Sequence, residues 1–151
     1  FIQIISEETA YQITSMLEGV VKRGTGRKLK DLNLDLAGKT GTTNENTDAW
    51  FVGFSKQIAA GVWMGVDDPR VSLGEGQDGS KAALPAWASF MAEAHDTLGY
   101  RRVNFDRPDG VIDYTICSTT KDRPTNLCPT EKEIFIKGTE PSQVCKTHRM
   151  N

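Results

Sequence analysis

Three apolar segments of strand length, separated by turns of only a few polar residues, constrain the fold of this chain most. They run roughly from Leu34 to Thr42, from Ala49 to Phe54 and from Ile58 to Val66. Asn44-Glu45-Asn46 supplies the first turn and Ser55-Lys56-Gln57 the second. Connections this short join antiparallel neighbours, because parallel strands need a crossover of a dozen or more residues. Before and within the first segment, Leu32, Leu34 and Leu36 alternate with polar residues, Asp35 among them. That period of two predicts a half-buried strand. Trp50, Phe51, Val62 and Trp63 are expected in the core, since aromatic and branched side chains bury large areas.

Helices flank this sheet in the sequence. Ile5 to Lys22 carries Ile13, Met16, Leu17, Val20 and Val21 at helical spacing. Ser6 is the expected N-cap, Glu7 and Glu8 fall in the first turn, and Gly24 is the expected C′ residue. Gly24-Thr25-Gly26 lacks the third glycine and the preceding strand of a dinucleotide-binding fingerprint, so it is a turn. A glycine-rich loop over Gly74–Gly79 precedes a second helix from Ser80 to about His95, with Leu84, Trp87, Ala88 and Met91 on its buried side. Pro85 is compatible with that helix only near its first turn. Asp67-Asp68-Pro69 is a turn, because adjacent strand residues point to opposite faces and the two acids would not act together. The expected class is α+β, an antiparallel sheet packed with helices. Residues 1–100 form one part. Residues 101–151 form a short, mostly irregular and β C-terminal extension, with apolar runs at Val111–Ile116 and Ile134–Ile136.

Charge and composition exclude several functions. The 151 residues carry 18 Lys and Arg against 20 Asp and Glu, a net charge of −2, which gives no electrostatic basis for nucleic-acid or membrane binding. No apolar run approaches the ~20 residues of a membrane span. There is no signal peptide, and the start at Phe1 points to a fragment or a processed product. With His95 and His148 as the only histidines, a Ser-His-Asp triad has little support. The three cysteines, Cys117, Cys128 and Cys145, form no Cys-x-x-Cys. No metal site and no cofactor are expected.

The chemistry concentrates in Gly38-Lys39-Thr40-Gly41-Thr42-Thr43, at the end of the first strand. Lys39 offers a fixed positive charge. Thr40 and Thr42, two residues apart, place hydroxyls on one face. Gly41 lets a ligand lie against the backbone, and a backbone N–H on such an edge can serve an oxyanion. Gly38-Lys39-Thr40 also ends like a phosphate-binding P-loop. That loop needs a glycine where Asn33 stands and a helix where Gly41-Thr42-Thr43-Asn44-Glu45 follows.

Lys-Thr-Gly is one of three signatures of serine penicillin-binding enzymes. The block Gly38–Asn44, then Asp48-Ala49-Trp50-Phe51-Val52-Gly53-Phe54, then Gly61-Val62-Trp63-Met64-Gly65-Val66-Asp67-Asp68, resembles the transpeptidase domain of bifunctional class A penicillin-binding proteins, of the 1a type of Gram-negative bacteria. Arg107-Pro108-Asp109-Gly110-Val111 and Ile136-Lys137-Gly138-Thr139-Glu140-Pro141 resemble the tail of the same family. The resemblance implies the C-terminal half of a serine β-lactamase/transpeptidase-like domain, part of a D,D-transpeptidase that cross-links peptidoglycan stem peptides and is acylated by β-lactams. Lys39 and Thr40 would hold the substrate carboxylate, with Gly41 beside them and the Thr42 hydroxyl assisting. The Thr42 N–H would be an oxyanion donor. The implied partner is the N-terminal part of the same domain, carrying Ser-x-x-Lys and Ser-x-Asn, which are missing here. The implied location is the periplasmic face of the inner membrane, reached through an N-terminal anchor.

Ser118-Thr119-Thr120-Lys121 fits Ser-x-x-Lys by letter, but it lies after Lys39 in a proline- and charge-rich tail, and a surface turn is expected there. The alternative to an enzyme half is a non-catalytic binding module of the same fold. An oxidising compartment also permits a Cys117–Cys128 disulfide across the turn at Pro124 and Asn126, with Cys145 left over. Three free thiols are the expectation for a cytosolic protein.

Overall fold

Ser6 and Gly24 bracket the first helix. Helix α1 runs Glu7–Arg23, the Ser6 Oγ accepts the Thr9 N–H at 3.2 Å, and the Gly24 and Gly26 N–H groups donate to the Val20 carbonyl at 3.0 and 3.1 Å. These contacts satisfy groups that a helix end leaves without an internal partner. The computed structural model describes residues 2–68 and 70–149. They divide into two units: residues up to Gln12 with those from Asp106 onward, and Ile13–Phe105.

In the Ile13–Phe105 unit, β1 (Ala37–Thr42), β2 (Asp48–Phe54) and β3 (Ala59–Gly65) form an antiparallel meander in the order β1-β2-β3. The register pairs Lys39 with Val52, Thr40 with Phe51 and Trp50 with Trp63. The first strand begins later than the leucine alternation predicts. Arg27–Leu32 is a 3-10 helix and Asn33 is left-handed at φ 52°, so pairing starts at Ala37. The leucines still reach the core: Leu29 and Leu36 are buried, and Leu32 and Leu34 pack against them. Residues three apart stack on one side of a 3-10 turn, which serves Leu29 and Leu32 as a strand would serve Leu34 and Leu36. Of the expected turn at Asp67-Asp68-Pro69, Pro69 lies outside the described residues. Asp68 there accepts a two-pronged ion pair from Arg70, at 2.9 and 2.8 Å.

Helix α2 (Ala83–Thr97) covers one face of the sheet, and Pro85 falls in its first turn. The expected cap at Ser80 is not formed: α2 starts after Ala82 with no side-chain cap, and Asp78 instead closes the turn that precedes it. The Asp78 Oδ1 accepts the N–H of Ser80 at 2.7 Å, the Ser80 hydroxyl at 2.6 Å and the N–H of Lys81 at 3.1 Å. Those bonds, led by the one from the Ser80 hydroxyl, hold the Asp78 carboxyl below its ordinary value. Trp87 lies edge-on against Phe51, ring centres 4.9 Å apart, and donates its indole N–H to the Ala60 carbonyl at 2.9 Å. A Cβ on Gly53 would stand 2.9 Å from the Trp87 ring, so the glycine is what lets the indole reach the sheet. Trp50 and Trp63 do not join this core. Alternation places them on the opposite face from Phe51, where they remain 44% and 43% exposed.

His95 is buried, as a structural histidine. Its Nδ1 donates to the Met91 carbonyl at 2.8 Å, and its Nε2 meets the Ser55 hydroxyl at 3.0 Å. The Ser55 Oγ also accepts the N–H groups of Gln57 and Ile58, both at 3.1 Å. One hydroxyl thus closes the β2–β3 turn and ties it to α2. Farther along, Arg102 grips Asp35 with two bonds of 2.8 Å and donates to Asn33 Oδ1 at 3.1 Å. The bonds from Arg102, more than its charge and that of Lys22, hold the Asp35 carboxyl below the usual range against the opposing effect of burial.

In the other unit, β4 (Val111–Cys117) and β5 (Thr130–Ile136) pair antiparallel, from Val111↔Ile136 to Cys117↔Thr130. A parallel bridge joins Arg123 to Val144. The fold is therefore α+β, with helices and antiparallel sheets.

Ser55→Ala should destabilise the protein by about 1–3 kcal/mol in chemical denaturation, because two backbone donors and a buried imidazole lose their partner together. A cost below ~0.5 kcal/mol would contradict that role, being what a neutral surface change gives. Asp35→Asn should lower the melting temperature at pH 7. A depressed carboxyl pKa stabilises the fold above the unfolded value of about 3.9, and that contribution is lost as pH falls through the lowered folded value. Wild type and variant should therefore converge once the pH has fallen through that lowered value. A gap that persists in acid would assign the effect to something other than the charge.

Candidate functional site

The hydrogen-bond parity of β1 decides what its residues present. Thr43 donates its N–H to the Asp48 carbonyl at 3.1 Å, and these two residues continue the β1–β2 register. Bonded pairs alternate along an antiparallel ladder. Gly41 and Lys39 therefore bond to β2, and the backbone groups of Thr42, Thr40 and Gly38 point away from it. Ser55, donating to the Ile58 carbonyl at 2.9 Å, gives the same parity for β2 and β3. Among the described residues β1 has no strand on its other side, so its outward N–H groups form an open edge.

The expected site residues converge on that edge. Thr40 and Thr42 share the face of Phe51 and Ala49, while Lys39 starts from the opposite face, beside Val52. Its ammonium curls around the edge, donates to the Thr40 carbonyl at 2.8 Å and lies 3.4 Å from the Thr40 hydroxyl. Gly41 sits beside Trp50, whose Cβ would be 3.2 Å from any Cβ added to the glycine. The Thr42 hydroxyl accepts the Gly79 N–H at 3.1 Å, which leaves its own hydrogen to donate. The result is an ammonium, two hydroxyls and an outward N–H on one short edge. That is the donor set a carboxylate and an adjoining carbonyl oxygen require.

Two further segments support the edge. Thr25, in the turn that ends α1, shares a hydrogen bond of 3.0 Å with the Thr40 hydroxyl. In the sequence, Gly24-Thr25-Gly26 reads only as a turn. Its signal was a hydroxyl between two glycines, and nothing local shows which strand it meets. The loop before α2 also returns to the strands: the Ser72 hydroxyl donates to the Glu45 carbonyl at 2.7 Å and Leu73 N–H to the Asn46 carbonyl at 2.8 Å. Gly79 then lies so close that a Cβ would be 2.7 Å from the Gly41 carbonyl oxygen and 3.1 Å from Thr40 Cβ. Any larger residue there would push the loop off β1. A groove of about 140 Å³ lies elsewhere in the unit, lined by Glu18, Lys22, Asp35 and Arg102. Four of its charged groups are paired as Arg102–Asp35 and Lys22–Glu18, both at 2.8 Å, and Lys30 lines it as well.

Ser118 is not a nucleophile by any feature of its surroundings. It lies in a turn after β4, its N–H and hydroxyl both directed to the Pro129 carbonyl at 2.9 and 3.3 Å. Lys121 is left-handed at φ 62° and pairs with Glu131, not with Ser118. The expected Cys117–Cys128 disulfide is absent, and all three cysteines are free thiols. They gather around His148, the four ligand atoms all within 4.8 Å of one another. The Thr120 hydroxyl, then the backbone and ring of His148, bring the Cys145 thiol down to about 5 against the effect of burial. Burial also pushes Cys117 up, but the backbone and hydroxyl of Thr120 outweigh it and the net shift is downward. Burial raises Cys128. The bond to Cys145 raises His148. The sequence signal for this cluster was Cys145-x-x-His148, which a search for Cys-x-x-Cys passes over.

A family model described as the penicillin-binding protein transpeptidase domain matches residues 2–92, and one described as penicillin-binding protein 1A, C-terminal domain, matches residues 107–150. Penicillin-binding protein 1A of Clostridium tetani is 35% identical over 153 residues, covering 97% of this chain and 19% of that protein. Its namesake from Aquifex aeolicus is 41% identical over 130 residues, covering 86% and 18%. The crystal structure of penicillin-binding protein 1A from Haemophilus influenzae matches with a TM-score of 0.82 at 31% identity, over 94% of this chain and 22% of that one. The chain thus spans about a fifth of the length of these relatives. The transpeptidase match takes in the whole strand that carries Lys39 to Thr42, and the chain belongs to the penicillin-binding protein transpeptidase family.

Proposed function

We propose that this chain supplies the Lys-Thr-Gly wall of a peptidoglycan D,D-transpeptidase site, acting at the periplasmic face of the bacterial inner membrane. The observation that carries the reading is the open edge of β1, where the Lys39 ammonium, the Thr40 and Thr42 hydroxyls and the outward Thr42 N–H come together. The substrate is a stem peptide ending in D-Ala-D-Ala. Its terminal carboxylate takes the place of the Thr40 carbonyl as the acceptor of Lys39, with the Thr40 hydroxyl as second donor. The penultimate carbonyl oxygen points to the Thr42 N–H, whose fixed dipole stabilises the charge that develops there. A serine from Ser-x-x-Lys, in the N-terminal part of the same domain, attacks that carbonyl. D-Ala leaves, and an amine of a second stem resolves the acyl-enzyme. β-Lactams enter the same site because they too join a carboxylate to an acylating carbonyl.

The half-exposed face of Trp50, Val52 and Trp63 packs against that N-terminal part. Val52 is 54% exposed, and next to it on the same face Trp50 pairs with Trp63 across the strands, ring centres 6.4 Å apart. Trp63 is already oriented, donating its indole N–H to Asp48 Oδ1 at 2.7 Å. Contiguous apolar surface of this kind marks an interaction face.

Two measurements test the reading. Incubated with a fluorescent penicillin and run on a denaturing gel, the 151-residue chain should show no covalent label. A labelled band, above all one mapped to Ser118, would contradict it. In the full-length protein, Lys39→Ala should slow β-lactam acylation by the 2–5 kcal/mol typical of a truncated charge pair, about thirtyfold to several thousandfold. The melting temperature should hardly move. Lys39→Arg should restore only part of the rate, since a planar fork keeps the charge and displaces the carboxylate. A wild-type rate for Lys39→Ala at unchanged stability would remove the residue on which the reading rests.

A further inference from the structure

The unit that contains the C-terminal residues has little to hold it together by packing. Its buried apolar residues among those described are Val111 and Ile116, joined by Cys117 and Cys145, and its sheet is the two-stranded β4–β5 ladder. An isolated two-stranded hairpin is marginal in water. Small units of this kind depend on a covalent or metal staple.

Three segments deliver their sulfurs to one point. Cys117 ends β4, Cys128 lies two residues before β5, and Cys145 follows the Arg123–Val144 bridge. His148 arrives from the same turn as Cys145. Its Nδ1 lies 3.4 Å from the Cys145 sulfur and 3.5 Å from the Cys117 sulfur. A tetrahedral zinc ion, with Zn–S of about 2.3 Å and Zn–N of about 2.0–2.1 Å, sets S···N edges of about 3.5 Å. The two separations match that edge. Cys117 and Cys145 are fully buried, Cys128 and His148 half-buried.

We propose that Cys117, Cys128, Cys145 and His148 are the four ligands of a structural zinc ion that staples the C-terminal unit. The donor set decides the metal class. Three thiolates and an imidazole select a soft or borderline ion over calcium or magnesium, and four converging protein ligands complete a tetrahedron with no position left for substrate. The surroundings are built for thiolates. The Thr125 N–H donates to the Cys128 sulfur at 3.3 Å, and backbone N–H groups of Thr119 and Thr120 serve Cys117. The Thr125 hydroxyl donates to the His148 carbonyl at 2.6 Å and so holds the imidazole's turn in place. Such outer contacts orient ligands in metal sites. A disulfide accounts for two of the three sulfurs and leaves the third beside the imidazole, whereas one ion uses all four groups. Binding displaces the thiol protons into solvent. The proposal is independent of the reading of Lys39.

The test is metal analysis of the full 151-residue chain, prepared under reducing conditions with zinc and freed of loose metal by gel filtration. One zinc per chain is expected, with the thiols unreactive until a chelator is added. The cobalt-substituted protein should show strong sulfur-to-cobalt charge transfer and the visible bands of tetrahedral Co²⁺. Cys145→Ser and His148→Ala should lose stoichiometric metal. Because misfolding would also remove the metal from either variant, His148→Cys provides the complementary arm: it should keep one zinc per chain and strengthen the cobalt charge-transfer band, with four thiolates in place of three. Ser118→Ala, in the neighbouring turn, should change none of these. Zinc far below one per chain in the wild type, an octahedral cobalt spectrum, or a disulfide between any two of the cysteines in the zinc-treated protein would overturn the proposal.

Discussion

The β1–β2 ladder is the constraint on which the site depends. One bond, from the Thr43 N–H to the Asp48 carbonyl, fixes the parity of every residue in β1. A slip of one residue would turn the Thr42 N–H into the sheet and send Thr40 and Thr42 to the other face. The protein secures that register from both sides. Phe51 and Ala49 are buried under α2, and the Thr43 hydroxyl accepts the Asp48 N–H at 2.8 Å in the turn itself. The geometry of the edge at Lys39 is thus set by packing on the far side of the strand and by the turn.

Much of this was legible in the sequence. Short polar turns between apolar runs gave the antiparallel meander, and Ser6 and Gly24 gave the ends of α1. The two apolar runs of the tail became the paired strands β4 and β5. What escaped was non-local. Leu32 and Leu34 fit a strand by period, yet Asn33 turns left-handed and delays pairing to Ala37. Trp50 and Phe51 are equally apolar, and only the position of α2 shows which face is the core. Thr25 and Gly79 carry no local mark of meeting β1, because their partners lie 15 and 37 residues away in the chain.

The cysteines show the same limit. Proximity in sequence favoured Cys117 and Cys128 as a pair, while the fold brings Cys145 and His148 to the same point. Ligand sets assembled from three segments are invisible to a search for paired cysteines. Once β4, β5 and the bridge at Val144 are in place, their convergence follows. The two units thus hold themselves differently. Ile13–Phe105 has an aromatic core centred on Phe51 and Trp87, whereas the C-terminal residues gather around three thiols and an imidazole.

The central claim is that the outward edge of β1 receives a carboxylate at Lys39 and Thr40 and a carbonyl oxygen at the Thr42 N–H. The most direct measurement is a crystal structure of the full-length protein acylated by a β-lactam. The account predicts the drug's carboxylate within hydrogen-bonding distance of Lys39 Nζ and the Thr40 hydroxyl. It places the acyl oxygen about 2.7–3.1 Å from the Thr42 nitrogen, the range of a working oxyanion donor. An acyl oxygen held by other donors, with the Thr42 N–H turned into the β2 ladder, would contradict it.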